Sequence, residues 1–226
     1  MRSSLAAALL LSVSVVSSPL HAQSSAGASA GSGVAPTEQR NSAPRAIGFA
    51  TRAPDGAALA LLMASAGLPA AHGLPEAERR AVEAAIASAG YVGKAGELLA
   101  LRGIGDRPVI LLSGTGPTPD ATTLREAAGR VAQQLRGEKA PVAVIGAGDA
   151  ARMTDAALGF ALGDYRFDRY KTAARSAGGP APVTVVGDGA DAARAAWAGR
   201  QAALVEGVTL ARDLANEPAS VIYPQS

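Results

Sequence analysis

Short continuous apolar runs alternate along this chain with segments of helical period, and that alternation constrains the fold more than any other feature. Pro108-Val109-Ile110-Leu111-Leu112, Pro141-Val142-Ala143-Val144-Ile145 and Val183-Thr184-Val185-Val186 have strand length and little or no polar face, as expected of strands covered on both sides of a sheet. The segments between them space their apolar residues by three and four. Together they spell βαβ units, an α/β fold with a largely parallel or mixed sheet.

Reading along the chain, Arg45-Ala46-Ile47-Gly48-Phe49-Ala50 is a first strand. Residues 58–66 are apolar on all sides and fit either a second strand or a buried helix, which periodicity alone does not separate. Leu74-Pro75-Glu76 opens a helix with proline at an early position and acid in the first turn. Val82, Ala85, Ile86 and Ala89 share one of its faces, and Gly90 ends it. Glu97-Leu98-Leu99-Ala100-Leu101 is a strand. Thr118-Pro119-Asp120 opens the next helix with threonine as N-cap, proline at N1 and aspartate at N2. Its core stripe is Leu124, Ala128, Val131 and Leu135, with Arg125, Arg130, Gln134 and Arg136 off it. A short helix over 154–162 precedes the last strand. The longest helix follows over 191–214, with Trp197, Leu204, Val208, Ala211 and Ala215 on one stripe, and it should end near Asn216 because Glu217 precedes Pro218.

The N-terminus has a different character. Met1-Arg2, an apolar run of about 12 residues, too short to cross a bilayer, and Leu20-His21-Ala22 together predict a signal peptide over 1–22 and a periplasmic or secreted protein. Residues 23–42, rich in Ser, Gly and Ala, cannot bury enough apolar surface to fold and predict a disordered leader. That leaves 43–190 for one α/β domain with a substantial core. Lys and Arg number 21 against 19 Asp and Glu, a net charge of +2, and aromatic residues make up 4%. Neither a phosphate-binding stripe nor a base-stacking platform is expected, so no nucleic-acid partner is. With no cysteine, disulfides and thiolate metal sites are excluded.

Three strands run into Gly-x-Gly turns: Gly114-Thr115-Gly116, Gly146-Ala147-Gly148 and Gly187-Asp188-Gly189. Such turns let backbone amides approach a phosphate, yet Pro119, Ala151 and Ala192 stand where a dinucleotide fingerprint has its third glycine. Tight strand-to-helix turns are the favoured reading, with nucleotide binding through Gly146 and Gly148 the weak alternative. No His-Glu-x-x-His helix, Gly-x-Ser-x-Gly elbow or Walker lysine is present, so no catalytic and no metal-ligating residue is assigned. His72 reads as a surface loop residue. Asp164, Asp168, Asp188 and Asp191 lie in sequence near Arg166, Arg169 and Arg194, and ion pairs or helix caps account for them. Tyr165-Arg166-Phe167-Asp168 alternates with period two, which suits a half-buried edge segment and docking between domains or subunits.

Two blocks carry a resemblance. Ala211-Arg212-Asp213-Leu214-Ala215-Asn216-Glu217-Pro218 and Leu162-Gly163-Asp164-Tyr165-Arg166-Phe167-Asp168-Arg169-Tyr170-Lys171 resemble, in order, segments of the leucyl aminopeptidase (cytosol aminopeptidase) family. Gly93-Lys94-Ala95-Gly96-Glu97 is a weaker third echo. The resemblance covers about residues 45–224. Ser220, Tyr223 and Gly114-Thr115-Gly116 depart from the usual residues. It implies a macro-domain-like mixed sheet flanked by helices, followed by a long linker helix, with 191–226 leading into a catalytic domain that this sequence lacks. Full-length members hydrolyse N-terminal residues from peptides with two divalent metals, zinc or manganese. The implied role here is a non-catalytic assembly or docking domain without a cofactor of its own. Its partner would be the catalytic domain or a second copy, and most of the family is cytoplasmic. A free-standing module for a nucleotide or ADP-ribose-type ligand is the alternative.

Overall fold

The computed structural model describes residues 41–171, 180–219 and 221. The expected signal peptide and all but the last two residues of the leader lie outside them. The described residues belong to one compact unit that begins at Glu38.

Six strands form one mixed sheet in the order β1-β6-β5-β2-β4-β3, namely β1 (Ile47–Ala50), β6 (Val183–Val186), β5 (Val142–Ile145), β2 (Ala58–Met63), β4 (Ile110–Gly114) and β3 (Leu98–Leu101). All neighbours are parallel except β3 and β4, which are antiparallel. This is the expected α/β class. The ambiguous segment over 58–66 resolves as β2, whose six residues are all buried between β5 and β4. Central position explains the missing period: one residue in two faces each layer, and both layers are apolar.

The two layers divide β2 residue by residue. Ala58, Ala60 and Leu62 join Val109, Leu111, Val142, Val144, Val183 and Val185 in one core, with α2 (Ala121–Gln134), α3 (Ala150–Gly163) and α4 (Ala190–Ala196) over it. Leu59, Leu61 and Met63 join Ile110, Leu112, Ala143 and Ile145 in the other, under α1 (Glu76–Ala89). Each large side chain so buried contributes roughly 1.5–3 kcal/mol.

The helices largely follow their stripes. Val82 and Ile86 are buried on α1, and left-handed Gly90 stops it at φ 63°; Ala89 is exposed, and Pro75 is the N-cap instead of lying inside. On α2, Leu124, Ala128, Val131 and Leu135 are all buried. Its N-cap is Asp120, whose carboxylate accepts from the Thr123 amide, so the helix starts later than a Thr118 cap would place it. Helix α3 starts earlier than expected because the Asp149 carboxylate accepts from the Arg152 amide, which recruits residues 150–153. Helices α2 and α3 cross at glycines: a Cβ on Gly159 would lie 2.1 Å from Arg125 O, and one on Gly163 would lie 2.6 Å from Gly129 O.

The terminal helix differs most from expectation. It is α4, then a π turn over Trp197–Gln201, then α5 (Ala202–Asn216). Glu217 is extended at ψ 137°, so the helix ends where Pro218 requires. A π turn inserts one residue and shifts the phase of every later position on the helix. The half-buried face therefore passes through Val205, Thr209 and Arg212 in place of Leu204, Val208 and Ala211; Val208 stays at its margin, while Leu204, Ala211 and Ala215 face outward. No residue of α5 is buried. None of the described helices is long and apolar enough to cross a membrane.

Candidate functional site

The two sequence blocks that carry the resemblance meet in space. Residues 164–170 leave α3 as irregular chain, and 165–169 are all half-buried, so the expected period-two edge segment is not formed. Side-chain partners, not a strand ladder, set its path. The Tyr165 hydroxyl donates to Asp213 Oδ1 at 2.8 Å. Arg169 pairs with Asp213 at 3.4 Å and with Glu217, and the Tyr170 hydroxyl donates to Glu217. The Arg212 guanidinium lies 5.4 Å from the Tyr165 ring centre while donating to Leu162 O at 2.7 Å. The block thus docks the chain's own terminal helix.

Two residues counted with the leader complete this network. Asn41 Nδ2 donates to Asp213 Oδ1 at 2.6 Å, and its Oδ1 accepts from the Asp168 and Arg169 amides at 3.0 and 3.1 Å. Ser42 donates to Asp168 through its amide, at 2.7 Å, and through its hydroxyl. Nothing in the composition of 23–42 marks these residues, because their partners lie more than a hundred positions away. Burial raises the Tyr165 hydroxyl pKa, with the hydrogen bond to Asp213 adding to the rise. For Tyr170 the hydrogen bond to Glu217 is the leading cause of the same rise.

A buried ion pair anchors the start of the block. Asp164 and Arg45, with side chains 3% and 1% exposed, sit 3.7 Å apart. Arg45 also donates to Leu135 O, the C-cap carbonyl of α2, and to Glu138 O in the turn beyond it, at 2.9 and 2.8 Å. Desolvation lowers the Arg45 pKa, against the raising influence of Asp164. This role was not legible in the sequence, where Arg45 simply begins a strand.

The remaining candidate residues have local roles. Asp191 pairs with Arg194 at 2.6 Å, and Asp188 is exposed. His72 is half-buried instead of free on the surface, its Nδ1 accepting from the Leu74 amide at 2.9 Å. Gly146 and Gly148 have positive φ, 95° and 105°, and a Cβ on Gly146 would lie 2.4 Å from Leu62 O. Close packing requires glycine at that turn, and the nucleotide-module reading gains no support. The Gly93-to-Glu97 echo is a turn too: the Glu97 carboxylate accepts from the Val92 and Lys94 amides, and Gly116 donates to Gly93 O. Among the described residues no three His, Asp or Glu side chains gather as a metal site would need.

Comparison with known proteins turns this geometry into a family assignment. The family model described as "Cytosol aminopeptidase family, N-terminal domain" matches residues 63–174, which include the whole Tyr165-to-Tyr170 block. The chain belongs to the cytosol aminopeptidase family. A "Probable cytosol aminopeptidase" of Gluconobacter oxydans is 35% identical over 161 residues, 68% of this chain and 32% of the relative. One of Caulobacter vibrioides is 33% identical over 184 residues, 77% of this chain and 37% of the relative. The chain therefore spans about a third of the length of the curated relatives it matches. A tomato leucine aminopeptidase mutant shares the fold at TM-score 0.61 and 20% identity, over 81% of this chain and 40% of that one. The structure titled "Bottromycin maturation enzyme BotP in complex with Mn" aligns at TM-score 0.51 and 26% identity, over 79% of this chain and 33% of that one. The six-stranded mixed sheet flanked by helices is that of leucine aminopeptidase N-terminal domains.

Proposed function

We infer that this cytosol aminopeptidase N-terminal domain is a non-catalytic docking domain, and that α5 is the element it presents to a catalytic portion like that of its longer relatives. One observation carries this reading. Leu204, Leu210 and Leu214, exposed at 44%, 60% and 56%, stand on a helix whose other side is fastened by polar contacts to Tyr165, Arg169 and Tyr170. An exposed apolar face held in a fixed direction fits a partner surface. The relatives' extra length supports the catalytic portion as that partner, and a second copy of the chain is the other occupant such a face accepts.

In the complete enzyme, two divalent ions, zinc or manganese, would activate a water and polarise the scissile carbonyl of a peptide's first residue. The described residues hold no donor set that fits such ions, so no step of hydrolysis is assigned to them. The purified chain, supplied with manganese or zinc, is expected to leave a leucyl anilide intact. Turnover well above a no-protein control, surviving repurification, overturns the non-catalytic reading.

Export is the accompanying reading, supported by the charge and apolar run of residues 1–22. The relatives' name, cytosol aminopeptidase, supports the cytoplasmic alternative. A mature N-terminus at Gln23 in a periplasmic fraction establishes the first, and a cytoplasmic chain beginning at Met1 the second.

A further inference from the structure

A depression of about 570 Å³ opens beside the C-terminal ends of β2 and β4, between the 93–96 turn and residues 115–118. In open α/β sheets this end of the strands is where small molecules bind, and the volume is in the usual range for a ligand pocket. Its walls are apolar: Ala64, Val92 and Pro117. Val92 is 62% exposed, a large aliphatic surface facing water unless something covers it.

A single cation stands at the rim. Lys94 is exposed, and among the described residues no carboxylate pairs with its ammonium group. Glu97, the nearest acid in sequence, directs its carboxylate instead to the amides of Val92 and Lys94, the latter at 2.9 Å. The Thr118 hydroxyl shares the rim, exposed and bonded to none of the described residues. The frame is firm: a Cβ on Gly93 would meet Ser65 O at 2.6 Å, and one on Gly114 would meet Lys94 O at 2.0 Å.

We propose that this depression binds small monocarboxylates with a short aliphatic body, the carboxylate on Lys94 and Thr118 and the body against Val92 and Pro117. One cation matches one carboxylate; a diphosphate would call for more positive charge. No aromatic side chain lines the walls, so a planar base has nothing to stack on. The site is separate from the α5 network, and its failure would leave the docking reading untouched.

The test is a titration of the isotopically labelled full-length chain followed by amide chemical shifts. The probes are N-acetyl-leucine, its neutral amide, acetate and inorganic phosphate. N-acetyl-leucine is expected to produce saturable shifts confined to 92–96 and 115–118. Its affinity should fall about tenfold as the neutral amide and in Lys94→Met, the scale of one lost charge-assisted contact. Val92→Ala should weaken N-acetyl-leucine and leave acetate unchanged. Both substitutions are at exposed positions, and an unchanged circular dichroism spectrum is the check that the fold is kept. The proposal is overturned by the absence of saturable shifts, by equal binding of acid and amide, by undiminished binding in Lys94→Met, or by phosphate binding as tightly as N-acetyl-leucine.

Discussion

The Tyr165 hydroxyl and the Asp213 carboxylate, 48 positions apart, are joined at 2.8 Å, and this bond ties the segment after α3 to a helix with no fully buried residue. Asp213 also accepts from Asn41 at 2.6 Å and pairs with Arg169 at 3.4 Å. An amphipathic helix normally derives its stability from a buried apolar face. On α5 the large apolar residues turned inward are only Val205 and Val208, both half-buried, and the polar contacts fasten its C-terminal half.

Removal of that carboxylate should therefore loosen one helix and little else. Asp213→Ala is expected to cost about 1–2 kcal/mol, discounted because the partners are partly exposed and solvent-screened. Amide exchange should quicken over residues 202–216 while α2 and α3 stay protected. Tyr165→Phe should do the same to a smaller degree. Uniform exchange changes across the domain would contradict a local latch.

Alkaline pH should have a related effect. Tyr165, Tyr170 and Tyr91 all have raised pKa values in the fold, Tyr91 because of its burial and the nearby Glu97. A raised folded-state value means the folded chain holds the proton more tightly. The associated stability is complete below the unfolded tyrosine value, about 10, and is lost as pH climbs through the folded values. Denaturation midpoints should fall above about pH 10, less steeply in Tyr165→Phe and Tyr170→Phe. Among the described residues the buried Tyr91 hydroxyl has no hydrogen-bond partner, so Tyr91→Phe should be neutral or stabilising at pH 7 and should also flatten the alkaline fall. A midpoint independent of pH in this window would contradict the account.

Two glycines in helices should respond oppositely to alanine. A Cβ on Gly159 runs into Arg125 backbone at 2.1 Å, whereas one on Gly207 meets nothing within 4 Å. Gly159→Ala must separate α2 from α3 and should cost about 1–3 kcal/mol. Gly207→Ala should stabilise α5 by up to about 1 kcal/mol through helix propensity. Chemical denaturation of the two variants checks both signs.

Legibility in the sequence followed the range of the interaction responsible. Strands β4, β5 and β6 declared themselves because burial on both faces requires continuous apolar runs. For β2 the same burial erased the distinction from a helix, and only its place between β5 and β4 decides it. Neither N-cap aspartate was legible as one: Asp120 reads as N2 behind a Thr118 cap and Asp149 goes unmarked, because the choice depends on which side chain reaches an N3 amide. The π turn was not legible, and its one extra residue turned the expected Trp197-to-Ala215 stripe out of phase from Leu204 onward. At the candidate site, the Tyr165 and Asp213 blocks were each visible, but their meeting was not. The parts played by Asn41, Ser42 and Arg45 arise from partners that only the fold brings near.

Sedimentation velocity of the full chain against a Leu204→Ser, Leu210→Ser, Leu214→Ser variant tests the central claim, that α5 holds an apolar docking face outward. These substitutions leave Tyr165, Arg169, Asp213 and Glu217 in place. The account predicts concentration-dependent self-association of the unaltered chain through this face, and a monomeric variant with the same circular dichroism. Equal monomer fractions for the two chains across the concentration range would contradict it.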